Sequence, residues 1–266
     1  MSYQFAFKTI DVRIEGHVAE IVLNQPASHN SVTHAMHFEI KDAFLAVRAE
    51  AEVRAIVFGS TGKSFSAGGN FDEILADRED AARRNAMRAQ VRPLLLAIAE
   101  SHIPVITALQ GDAVGLGATL MMGTDAVVAA KTARISDPHV VIGLAAGDGG
   151  CVGWPLHVGL LRAKRYLLTG DRLTAEDAHR MGLVTDLVET AAEVMPAARV
   201  LAARIAALPP LAVQATKRAL NQVFRNRFEQ VFEQGLAYEM DTFVSEDVVE
   251  AIAAFRERRP PTYTGR

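Results

Sequence analysis

The 266-residue sequence predicts an α/β fold in which strands alternate with helices and a helical section follows. Three observations predict it. In residues 105–122, VITALQGDAVGLGATLMM, an apolar run entered through Pro104 turns at Gln110-Gly111-Asp112 and opens a small-residue helix at Gly115-Leu116-Gly117. The shorter apolar run 56–58 is likewise followed by a small-residue turn, SFSAGGN, with a helix start at Ala67-Gly68-Gly69. After Thr174 the apolar residues keep helical spacing, punctuated only by Pro196 and Pro209-Pro210.

In order, residues 9–14 and 17–23 alternate as a hairpin around Glu15-Gly16, closed by Asn24-Gln25-Pro26. Ser31 or Thr33 supplies the cap of a helix reaching about residue 49. A strand at 54–59 precedes the SFSAGGN turn. A charged, loop-like stretch at 77–84 then leads to a helix over 86–99. Strands are predicted at 126–130 and 133–136. Asp137-Pro138-His139 leads through an apolar passage to a second glycine cluster, Gly147-Asp148-Gly149-Gly150.

Half of the residues are hydrophobic and 22% are charged, the balance of a soluble globular chain. A net charge of −3 gives no general attraction to nucleic acid or to an anionic membrane. Arg84, Arg88 and Arg92 share a helix face, but acidic neighbours make it a solvated face rather than an RNA site. One cysteine rules out an internal disulfide and suits a reducing compartment. The opening MSYQFAFKTIDVRIEG lacks a leader pattern, and no apolar run spans a bilayer, so a cytoplasmic location is expected. His34 and His37 lie one turn apart without a third ligand at suitable spacing, and no metal site is predicted.

The chemistry lies in the two glycine turns. A strand that ends in glycine and feeds a helix presents free N–H groups, and two such turns brought together form an oxyanion hole. GLGATL lacks the third glycine of a dinucleotide fingerprint.

SFSAGGNF and ALQGDAVGLGATLMMGTDAVVAA resemble the two signature segments of the enoyl-CoA hydratase/isomerase (crotonase) superfamily. NQPASHNSV, LLTGDRLTAEDAHRMGLVTDLV and AIAAFRERRPPTYTGR agree with it in order and spacing. The resemblance implies a spiral of ββα units over residues 1–187 and a helical C-terminal region over 188–266. It also implies assembly as homotrimers or homohexamers, with trimer contacts on the helices at 211–223 and 228–243. The implied substrate is an acyl-CoA thioester, with coenzyme A part of the substrate and no separate cofactor. Its enolate would be held by the N–H groups of Ala67 and Leu116, with Gly68, Gly115, Thr119 and Trp154 around the pocket. Phe255, Arg258 and Arg259 resemble the basic segment that reaches the nucleotide of CoA; a solvated charge run is the other reading of these residues.

The two hydratase glutamates are replaced, by Thr119 and His139. Threonine carries no group that titrates near neutrality, so the two-glutamate mechanism is missing in its usual form. His139 and Asp148 remain as an acid–base pair. Their spacing, with Trp154-Pro155 beyond, is similar to the 6-oxocamphor hydrolase-like branch, which hydrolyses carbon–carbon bonds in cyclic β-diketones. Asp148 also suits a helix cap, and His139 a polar side chain lining a pocket. An acyl-CoA binder without turnover is a further alternative.

Overall fold

The computed structural model describes residues 6–266, so the first five residues of the segment lacking a leader pattern lie outside the described residues. β1 (Ile10–Glu15) and β2 (Val18–Leu23) form the expected antiparallel hairpin. Thr33 then caps α1 (His34–Arg48) by accepting the Met36 N–H at 3.2 Å. β3 (Ala55–Ser60) follows. α2 (Phe71–Glu79) starts later than the glycines suggested, at a cap supplied by Asn70. The charged stretch 77–84 is helix rather than loop, since α3 (Ala81–Ala99) follows α2 directly, capped by Asp80. Its charges are neutralised internally: Arg83 donates to Asp77 at 2.9 Å and Arg84 to the Asp77 carbonyl at 2.8 Å.

The organising stretch gives β4 (Val105–Leu109), a two-residue β5 (Ala113–Val114) and α4 (Leu116–Met122). β6 (Ala126–Ala130) and β7 (Arg134–Ser136) follow, then α5 (Gly150–Val158) and α6 (Leu160–Leu167). Next come β8 (Leu173–Thr174), α7 (Ala175–Met181) and β9 (Asp186–Val188), before α8 (Ala191–Ala206), α9 (Pro210–Phe243) and α10 (Glu246–Glu257). β9 lies in the stretch read as purely helical and β8 just before it; at three and two residues they are too short to show alternation.

The larger sheet has the order β1-β2-β3-β4-β6-β9, parallel except for the hairpin, and β5-β7-β8 form a second sheet. Its central strands are buried on both faces, as parallel strands are. Ile56, Phe58, Val105 and Leu109 face the main core, while Val57, Ile106, Ala108 and Val128 face α8. Small residues on α8 (Ala198, Ala202 and Ala206) let it lie close against that face.

α9 crosses back over the core. Phe228 and Phe232 are fully buried in their own chain and stacked 4.3 Å apart, while Tyr238 on the same helix is exposed. Leu211, Leu220 and Val223 on its first half are exposed. A buried ammonium pins the helix: Lys217 Nζ reaches Asp125 Oδ2 at 2.5 Å and the Ile103 carbonyl at 3.0 Å. Lys217→Met is expected to destabilise by about 2–4 kcal/mol, because Asp125 and a buried carbonyl lose their donor. Urea denaturation should show a lower midpoint at unchanged slope; an unchanged midpoint would mean that the pair contributes nothing.

Candidate active site

The two glycine turns are joined by an isolated parallel bridge between Ser66 and Ala113. Ser66 N–H donates to the Asp112 carbonyl at 3.1 Å, and Val114 N–H to the Ser66 carbonyl at 3.0 Å. Glycine is what permits the approach. A Cβ on Gly68 would sit 2.7 Å from the Val114 carbonyl oxygen, and one on Gly117 would sit 2.7 Å from Ser66 Cβ.

The amide inventory corrects one assignment. Ala67 N–H is already bonded to the His29 carbonyl at 3.0 Å, so it is not the free donor. In the bridge between Val32 and Gly69, Val32 N–H donates to Gly68 and Asn70 N–H to Val32. This pattern leaves the Gly69 N–H with no acceptor among the described residues. Leu116 begins α4, so its N–H has no intrahelical acceptor. Gly69 and Leu116 line the same cleft, along with Ala67, Gly68 and Gly115.

A single turn of 3-10 helix, His139–Ile142, follows β7 and turns the His139 ring into this cleft. His139 Nδ1 is hydrogen-bonded to Asp137 Oδ1, and its Nε2 lies 3.4 Å from Asp148 Oδ2. Thr119 Oγ1 donates to Asp148 Oδ1 at 3.2 Å. All four side chains are buried. Burial alone would lower the imidazole pKa, but the Asp148 and Asp137 carboxylates outweigh it and hold His139 well above its ordinary value. Burial likewise opposes ionisation of Asp148, yet the His139 charge keeps its carboxyl below the usual range. Gly149 is the cap residue of α5, and the Asp148 carboxylate accepts the Gly150 N–H at the start of that helix as well as facing the imidazole.

Two predicted pocket residues lie elsewhere. Thr119 is behind Asp148, off the cleft, and holds the carboxylate in place. Trp154 is fully buried in the core, stacked on Tyr166 with ring centroids 5.7 Å apart. Of the two readings of this residue, pocket wall or core, α5 gives it the core.

Sequence reading missed two groups. Asp137, two residues before His139, was legible only as part of a turn. Glu239 comes from α9, far along the chain, and lies over the Gly147–Gly150 loop because Gly147 and Gly235 meet there. A Cβ on Gly147 would sit 2.1 Å from the Gly235 carbonyl oxygen. The only available signal was a glycine inside a long helix, with a glutamate one turn beyond. Glu239 accepts the Asp148 N–H; burial and the Asp148 charge push its pKa up to about 8. His37, which the sequence places one turn from His34, is on the inner face of α1 and lines the cleft, as does His34. Burial, the nearby His34 and a smaller contribution from Lys41 depress it to about 3, against a weaker pull from Asp148. Because the folded state keeps His37 neutral, its contribution to stability is lost as pH falls from 6.5 towards about 3. Melting temperatures of His37→Leu should be less acid-sensitive than the wild type; parallel curves would refute this.

The cleft encloses about 1000 Å³, its open mouth included. Met87, Val91, Leu144, Met240 and Phe243 give it an apolar wall. At its edge Phe255 meets Phe71, a lining residue, edge-on at 5.4 Å. Arg259 is tied to Glu250 and Glu257, whereas Arg258 has no ion pair among the described residues. Arg92 is bound to Glu229 and Glu233 of α9, which occupies part of the arginine face of α3.

The family described as enoyl-CoA hydratase/isomerase matches residues 13–266. The chain belongs to this family. Among curated enoyl-CoA hydratase/isomerase relatives, a probable enoyl-CoA hydratase of Rhodobacter capsulatus is 33% identical over 98% of this chain and 100% of its own length. The 2,3-dehydroadipyl-CoA hydratase of Escherichia coli is 32% identical over 92% of this chain and 94% of its own. Among solved structures, an enoyl-CoA hydratase/isomerase from Mycobacterium paratuberculosis superposes with a TM-score of 0.89 at 36% identity, covering 94% of this chain and 99% of that one. The mostly parallel sheet and ten helices of the described residues match that fold.

Proposed function

We propose that this chain is an enzyme acting on an acyl-CoA thioester, whose enolate oxygen is held by the N–H groups of Gly69 and Leu116. His139 and Asp148 serve as its acid–base pair. The observation that carries the reading is the chain Thr119–Asp148–His139–Asp137 beside two unspent amides on one cleft. Free amides facing a cleft stabilise the negative charge that develops on a thioester oxygen. His139 is protonated near neutrality and begins as the acid; Asp148, held ionised, begins as the base. Neutral Glu239 stores a second proton next to Asp148.

Phe255 and the unpaired Arg258 at the cleft edge suit the nucleotide end of the coenzyme. The exposed Leu211, Leu220 and Val223 suit a homotrimer or homohexamer, which light scattering would test.

A second reading is favoured by one observation, the direct approach of His139 to Asp148. It is hydrolysis of a carbon–carbon bond in a cyclic β-diketone. Purified protein incubated with crotonyl-CoA and, separately, with a cyclic β-diketone, followed by absorbance and mass spectrometry, separates the readings. Loss of the conjugated thioester supports the first. Ring-opened acid with crotonyl-CoA untouched replaces it with the second. Silence on both, with tight CoA-ester binding, would leave a binder without turnover.

A further inference from the structure

His37 is 1% exposed, yet neither ring nitrogen has a hydrogen-bond partner among the described residues. Its ring neighbour is Phe38, at 6.3 Å and edge-on, which satisfies neither nitrogen. An imidazole always carries one donor and one acceptor, or two donors, and leaving them empty in a buried site costs stability. This position is no remote core pocket: the His37 ring lines the cleft that contains Gly69, Leu116 and His139. It is also close enough to feel the Asp148 charge. The neighbouring histidine is different. His34 Nε2 is hydrogen-bonded to Asp77 Oδ2 at 2.7 Å, so that nitrogen is already engaged.

A second unpartnered atom sits across the same cleft. Glu239 Oε2 has no partner among the described residues, although the rest of that carboxyl is anchored by the Asp148 N–H. A plain hydrocarbon chain would leave all of these groups unsatisfied. The apolar wall of Met87, Val91, Leu144 and Phe243 accommodates the carbon skeleton but no polar substituent.

We propose that His37 is a substrate-positioning residue that hydrogen-bonds a second oxygen of the acyl group, a keto or hydroxyl oxygen beyond the thioester carbonyl. The site therefore takes oxygenated acyl-CoA esters in preference to hydrocarbon ones. This rests on the acyl-CoA reading and narrows its substrate class. Burial keeps the imidazole neutral. It can therefore donate to a keto oxygen or accept from a hydroxyl, without adding charge beside Asp148. A site built to hydrogen-bond a substrate discriminates strongly against an analogue lacking that group, because its own polar atoms then stay unpaired.

The test is calorimetric binding of hexanoyl-CoA, 3-oxohexanoyl-CoA and 5-oxohexanoyl-CoA to the full-length protein, wild type and two variants. At least one oxo ester is expected to bind the wild type about tenfold tighter than hexanoyl-CoA. His37→Leu should erase that preference while leaving hexanoyl-CoA affinity within about twofold, because the apolar contact survives. His37→Gln, which keeps a donor and an acceptor, should restore part of it. A merely structural role would weaken all three esters together and would overturn the proposal. Equal wild-type binding of the three esters would overturn it as well, and would mean that fixed water satisfies the ring. If no ester binds at all, the acyl-CoA reading itself fails, a result distinct from equal binding.

Discussion

Replacing His139 with alanine is expected to lower turnover by about 10²–10⁴-fold, the usual contribution of a general acid. It should also cost about 3–5 kcal/mol of stability, the scale for breaking a buried ion pair. Both effects have one origin. Among the described residues, His139 is the only basic side chain in direct contact with Asp137 and Asp148, and both carboxylates are buried. Without it two buried carboxylates lose their partner, with Glu239 beside Asp148. His139→Gln separates the two effects. The amide still reaches Asp137 or Asp148 but cannot transfer a proton, so most of the fold stability should return while turnover stays low. A folded His139→Gln protein with more than about a tenth of wild-type turnover would remove His139 from the acid role.

Glu239→Gln is expected to abolish the alkaline limb of the activity profile. Glu239 is protonated up to about pH 8, and above that it adds a negative charge next to Asp148. In the wild type, kcat/KM should therefore fall as pH rises through about 8, and in Glu239→Gln that fall should disappear. Stability should follow the same sign. The folded pKa lies above the ordinary 4.5, so the native state binds more protons than the unfolded chain between 4.5 and about 8. Stability from this group is complete below 4.5 and is lost as pH rises through that window. His139 acts in the same direction above 6.5, while His37 opposes both below it. At about pH 9 the glutamine variant should exceed the wild type by on the order of 3–5 kcal/mol, with little difference near pH 5. An unchanged alkaline limb in Glu239→Gln would show that another group titrates there.

Much of this was written locally. The apolar runs at 56–58 and 105–109 announced buried parallel strands, and the glycines after each announced turns with free amides. The covering of a strand and the φ of a glycine are short-range properties, so sequence carries them. An imidazole at His139 and a carboxylate at Asp148 were equally plain in the sequence. Which amide is free was not legible: a one-residue step decides it, and only the bridge from Val32 to Gly69 directs that N–H away from its neighbours. β8 and β9 escaped for a similar reason, being too short to carry a period.

What the sequence determined by itself was the α/β class, the family resemblance, the two glycine turns and the presence of an imidazole and a carboxylate near them. Tertiary structure alone decided how those groups are charged and what surrounds them. Asp137 reaches His139 because a one-turn helix folds the ring back over its own strand end. Glu239 reaches Asp148 across 91 residues of sequence, since two glycines allow α9 to touch the loop. The His37 ring nitrogens have no partner among the described residues because α1 buries its inner face against the cleft. The physical reason is one of range. Backbone conformation and hydrophobic period are set by neighbours along the chain, whereas the ionisation of a buried group is set by whichever charges the fold brings within a few ångströms.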